Sequence, residues 1–106
     1  MPKYLIVASY NPDGAKGLLK DGGSKRRQAA EMALKGVGAR VEAFYFAFGE
    51  GDVYAIVDAP DNVSMAAASL AINASGAVST KTVVLLTAEE IDQATRKTPT
   101  YQPPGR

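Results

Sequence analysis

The chain has 106 residues and a mass of 11.1 kDa, the size of one domain with no room for two. Twelve Lys and Arg against eleven Asp and Glu leave a net charge of +1, too little to hold nucleic acid or an anionic membrane by long-range attraction. Cys, His and Trp are all missing. That excludes disulfides, thiol nucleophiles, thiolate zinc sites, Ser-His-Asp hydrolysis, zinc hydrolysis and His-ligated haem, so neither a cofactor nor a metal is expected.

No apolar run approaches the roughly 20 residues of a membrane span. The longest, such as Leu5 to Ala8 and Val83 to Leu86, are a few residues each. The start, Met1 to Val7, is too short and too soon polar for a signal peptide, so the expected location is the cytoplasm.

Residues 3–10 are rich in β-branched and aromatic side chains and read as a strand, stopped by the turn residues Asn11-Pro12-Asp13-Gly14. Between Gly14 and Gly23 the glycines leave room for one helical turn around Leu18 and Leu19. Ser24 is the expected N-cap of a first full helix, whose apolar positions Ala30, Ala33, Leu34 and Val37 follow helical spacing before Gly36 and Gly38. Residues 40–48 and 53–58 read as strands joined by the hairpin Gly49-Glu50-Gly51-Asp52. Asp61 caps a second helix with an apolar stripe of Val63, Ala66, Ala67, Leu70, Ala71 and Ala74, expected to face the core and to end near Gly76. A fourth strand follows over about 77–87, then a short helix over 88–93. The domain is placed at residues 1–96, and the Pro-rich 97–106 is expected to be an extended arm or disordered tail.

The order βαββαβ predicts an α+β, ferredoxin-like domain: a four-stranded antiparallel sheet with its helices on one face. Strand alternation places Phe44, Phe46 and Phe48 on one side and Val41, Ala43, Tyr45 and Ala47 on the other. The third strand sets Val53, Ala55 and Val57 against Tyr54 and Ile56; the first sets Leu5 and Val7 against Tyr4, Ile6 and Tyr10. Only the fourth strand is half polar. A sheet apolar on both faces with helices for one needs a second layer, and a homodimer or higher homo-oligomer supplies it.

The opening Met-Pro-x-Tyr strand, the aromatic strand and hairpin Phe44-Tyr45-Phe46-Ala47-Phe48-Gly49-Glu50-Gly51-Asp52-Val53, and the Ala-rich helix after Ala59-Pro60-Asp61 together resemble the GYD domain family over about residues 3–92. The resemblance implies a dimeric α/β-barrel type of assembly and implies no particular activity. The family's Gly-x-Tyr-Asp hairpin is matched by Gly49 and Asp52, while Gly51 stands at the tyrosine position.

Three groups are candidate ligand sites. Glu50 and Asp52 form a carboxylate pair on the hairpin, read either as turn residues or as a proton acceptor or cation site. Lys25, Arg26 and Arg27 make a basic entrance to the first full helix, where backbone N–H groups also favour anions. Tyr10 and Asn11 end the first strand beside the sheet–helix cleft. The remaining aromatics Tyr4, Phe44, Tyr45, Phe46, Phe48 and Tyr54 are candidates for the cleft or the dimer interface. An RNA-stacking role for the phenylalanines fails because the sheet carries almost no positive charge and lacks the basic-glycine-aromatic block such sheets use. The functional expectation is an oligomeric protein binding a small molecule, anionic or neutral, in the cleft or at the interface. Its alternatives are a cofactor-free dimeric-barrel enzyme, monooxygenase- or isomerase-like, and a structural or interaction subunit without ligand.

Overall fold

The computed structural model describes all of residues 1–106. Its four strands are β1 (Lys3–Tyr10), β2 (Arg40–Gly49), β3 (Gly51–Asp58) and β4 (Val78–Leu85). They pair antiparallel throughout in the order β2-β3-β1-β4, with the first and third strands at the centre. The long helices α2 (Gly23–Lys35) and α3 (Asn62–Ala74) cover one face, giving the ferredoxin-like arrangement. Tyr4, Ile6, Ala55 and Val57 of the sheet share one buried cluster with Leu34 of α2 and with Met65 and Ala68 of α3. No helix is long and apolar enough to cross a membrane.

Ahead of α2 lies α1 (Pro12–Asp21), a full ten-residue helix where one turn was expected. The four residues that read as a turn are a helix entrance. Asn11 is the N-cap, its Oδ1 accepting from the Gly14 N–H at 2.9 Å, and Pro12 follows at the first helical position, where a missing N–H costs nothing. Gly22, at φ +82°, closes α1 by donating its N–H to the Leu18 carbonyl at 2.8 Å and serves as N-cap of α2. Ser24 is thus inside α2 and not its cap. The final helix, α4 (Ala88–Thr95), starts with a reciprocal capping box between Thr87 and Glu90 and buries none of its residues. Residues 97–106 form neither helix nor strand.

The phase of α3 is the opposite of the expected one. Val63 and Leu70 are 79% and 72% exposed, and Ala66, Ala67, Ala71 and Ala74 are exposed with them. The inward side carries Met65, Ala68, Ser69, Ile72 and Asn73. A helix apolar nearly all round gives periodicity little to choose by, and hydrogen bonds choose instead. Asn73 donates through Nδ2 to Thr80 Oγ1 at 2.8 Å and accepts the Thr80 N–H at 3.0 Å; Ser69 Oγ lies 3.0 Å from the same Thr80 hydroxyl. At the other end the Tyr4 hydroxyl donates to Asn62 Oδ1 at 2.6 Å.

Two register shifts in β2 revise the face assignments. The first, between Val41 and Ala43, turns Val41 to the helix side, where it packs on the core. The second, between Phe46 and Gly49, takes Phe48 out of the row of Phe44 and Phe46 and leaves it fully exposed. Away from the helices, the open face carries Leu5, Val7, Ala43, Tyr45, Tyr54, Ile56, Val83 and Leu85, with Ser79 and Lys81 in its β4 row. One end of that face is charged. Asp58, its side chain 6% exposed, receives Lys3 Nζ at 2.8 Å and Arg40 Nη2 at 2.9 Å, and Lys3 also reaches Glu42 at 2.9 Å. Hydrogen bonds from Lys3 and then Arg40 hold the Asp58 carboxyl below its usual value, against the opposing effect of burial.

Two stability predictions follow from these contacts. A Cβ on Gly14 would land on the Ala77 carbonyl oxygen, whereas one on Gly17 meets nothing. Gly14→Ala is therefore expected to cost about 2 kcal/mol in urea unfolding, and Gly17→Ala to gain about 0.5–1 kcal/mol. Because the Asp58 carboxyl is depressed in the fold, its contribution is complete above the unfolded value of about 3.9 and is lost as pH falls through the folded one. Asp58→Asn should lower stability at neutral pH by about 1.5–3 kcal/mol, with the gap to wild type closing in strong acid. Parallel melting profiles from neutral pH down to strong acid would contradict it.

Candidate functional site

A cavity of about 220 Å³ lies between the sheet and its helices. Its floor is Ile6, Ala8, Val53 and Ala55, its roof Ala29, Ala30, Ala33 and Leu34 of α2, and Ile72 and Val78 close the α3–β4 side. Twelve of the fifteen lining residues are hydrophobic, and none is acidic. The space follows from residue size. Alanines on the inward side of α2 face alanines in β1 and β3, and short side chains on both walls cannot meet.

Three of the sequence candidates come together here. Tyr10, Arg26 and Phe44 all line the cavity. The Arg26 Nε is buried and has no hydrogen-bond partner. The other polar lining groups are already engaged: Thr80 with Ser69 and Asn73, and the Ser75 hydroxyl as donor to the Ile72 carbonyl at 2.7 Å. The basic trio is thereby split. Arg27 donates to Glu31 Oε1 at 3.0 Å and rests 5.9 Å from the centre of the Phe44 ring, and Lys25 is exposed. Spacing along a helix turns three consecutive residues about 100° apart each, so only one of them can face inward.

The remaining candidates have other occupations. Asn11 caps α1 and donates through Nδ2 to the Gly76 carbonyl, tying the helix to the entrance of β4. Asp52 accepts the Tyr10 N–H at 2.8 Å and so clamps the end of β1 to the hairpin, while the Glu50 side chain is exposed. Tyr4 is buried in the core on the helix side. Phe44 and Phe46 also lie on the helix side, edge to face at 5.4 Å, and so are not on the open face of the sheet. Of the aromatic candidates, Tyr45 and Tyr54 are on that open face, directly opposite each other across β2 and β3.

The hairpin explains the glycine at position 51. Gly51 has φ +86°, and a Cβ there would stand 2.6 Å from Val7 Cγ1 and 3.3 Å from the Tyr54 hydroxyl oxygen. Tyr54 folds back to donate its hydroxyl to the Glu50 carbonyl, filling the space a side chain at 51 would need.

The match to the GYD domain model runs over residues 4–95. The chain belongs to the GYD family. A relative from Thermus thermophilus, described as a glutamine synthetase and cystathionine beta-lyase binding protein, is 29% identical over 83 residues, covering 78% of this chain and 86% of its own length. No solved structure matches significantly.

Restoring the family tyrosine should therefore harm this chain. Gly51→Tyr and Gly51→Ala are expected to lose roughly 1–3 kcal/mol through the left-handed backbone and the Val7 clash. Gly49→Ala, which meets nothing within 4 Å, should change stability far less. Equal effects at both positions in denaturant titrations would contradict this account of the hairpin.

Proposed function

We propose that this GYD protein is a homo-oligomeric binding protein that holds a small molecule between its sheet and its helices. The observation that carries the reading is the cavity beneath α2, apolar on nearly every side and roomier than ordinary packing leaves in a domain of this size. Oligomerisation is supported by the open sheet face. Tyr45 is 71% exposed there and is continuous with Tyr54, Ile56, Leu5, Val7 and Val83. A second copy laid on this face would remove the patch from water and complete a two-layer barrel, as the family resemblance implies. The short helix α4 adds to this. Eight residues without tertiary burial are marginal as a helix, and docking on a second copy would give Ile91 and Leu86 a place to bury.

A second reading, protein interaction, is favoured by two further observations. The Thermus thermophilus relative is described by the enzymes it binds. The outward side of α3 offers an apolar stripe, Val63, Leu70 and the alanines between them, left free by the reversed phase of that helix. The two readings are compatible, since a ligand under α2 and α3 can bias how those helices meet a partner. The enzyme alternative gains no support from the cavity, whose lining offers no carboxylate to act as a base.

Native mass spectrometry of protein purified under mild conditions is expected to show an added small-molecule mass that disappears on denaturation. Bare polypeptide from several preparations, with no thermal shift from any of a set of small aromatic and aliphatic compounds, would contradict ligand binding and leave the interaction reading in place.

A further inference from the structure

The cavity lining holds a single cation, Arg26, and it takes part in no salt bridge. We infer that the cavity binds a small apolar monocarboxylate, an aryl or branched aliphatic acid, with the Arg26 guanidinium as the cation that receives the carboxylate. This deepens the ligand-binding reading above and rests on it.

The polar groups of this region are out of balance. A buried guanidinium N–H without an acceptor loses its water and receives nothing in return, which ordinary interiors avoid. Here the Arg26 Nε is buried and unpartnered, no carboxylate lines the cavity, and Arg26 takes part in no salt bridge. An anion is the missing partner, and a planar carboxylate fits a guanidinium edge best. Tyr10 also lines the cavity, and its hydroxyl, hydrogen-bonded to nothing in the chain, is a candidate second donor.

Size and polarity set the rest of the ligand. An engineered apolar cavity of roughly 150 Å³ takes benzene, so about 220 Å³ accommodates such a ring with a carboxylate attached. The remainder of the wall is Ile, Val, Leu, Phe and Ala, with its Ser and Thr hydroxyls already bonded. A free amino acid would bring an ammonium into a lining without any acidic side chain. A phosphate ester would bring a second negative charge to a single cation. Both are disfavoured by unpaired charge in an apolar space.

Benzoate, benzyl alcohol and phenylalanine are suitable probes for titration followed by NMR on the full chain. The wild type should bind benzoate about tenfold or more tightly than benzyl alcohol, which has the ring without the charge. Phenylalanine should bind more weakly than benzoate. Arg26→Met keeps most of the side-chain stem, so it should erase the preference for benzoate while retaining benzyl alcohol. Lys25→Ala should leave benzoate affinity unchanged. Equal affinity of the wild type for benzoate and benzyl alcohol would overturn the carboxylate assignment yet keep the cavity as a ligand site. An Arg26→Met variant that retains the benzoate preference would overturn it too. Failure of all three probes to bind the wild type would overturn both the assignment and the ligand-binding reading. Because the comparison of benzoate with benzyl alcohol is made on wild-type protein, the inference stays testable even if Arg26→Met does not fold.

Discussion

Everything in this molecule is conditioned by a sheet that is apolar on both faces and has helices for only one. On the helix side, Tyr4, Ile6, Ala55 and Val57 are closed over by α2 and α3. On the other side, Leu5, Val7, Tyr45, Tyr54, Ile56 and Val83 lie in a continuous patch, bounded at one end by the Lys3–Asp58–Arg40 cluster. A rim of paired charge beside an apolar centre is how association surfaces are commonly organised, the apolar part supplying the driving force and the charges the register.

The helix side is unusual for where its polarity sits. In α3 the polar residues Asn62, Ser69 and Asn73 point inward and bind Tyr4 and Thr80, while Val63 and Leu70 point outward. Those hydrogen bonds fix the helix against β1 and β4. The alanines of α2 then leave the cavity unfilled, and Arg26, whose buried Nε has no partner, is the one cation in its lining. Fold and candidate site thus share a cause: small side chains where packing would otherwise be complete, and polar ones where they can lock a helix in place.

Much of this was legible in the sequence. Runs of β-branched and aromatic residues mark all four strands, and their order with the helices dictates the topology. The two-faced sheet could be read from alternation alone. Three features could not. Asn11-Pro12 carries the same residues as a turn and a helix start, and α1 exists because the Gly14 N–H meets the Asn11 side chain. The phase of α3 depends on hydrogen bonds to Thr80, which no periodicity in an apolar helix reveals. The bulges in β2 move Val41 and Phe48 to unexpected sides, and one extra residue in a strand leaves little trace in composition. Among the site candidates, the basic cluster was visible as a cluster. That Arg26 faces inward while Arg27 rests on Phe44 depends on where α2 begins, and Gly22 sets that.

The cover proposed for the open sheet face is a second copy of the chain. Sedimentation equilibrium at micromolar concentrations tests it most directly, on the wild type and on a Tyr54→Lys, Ile56→Lys variant. The account predicts a wild-type mass twice the 11.1 kDa of one chain or a higher multiple, and a variant reduced to a single chain with its helix content intact. A wild type that sediments as one chain, with the patch open to water, would contradict it.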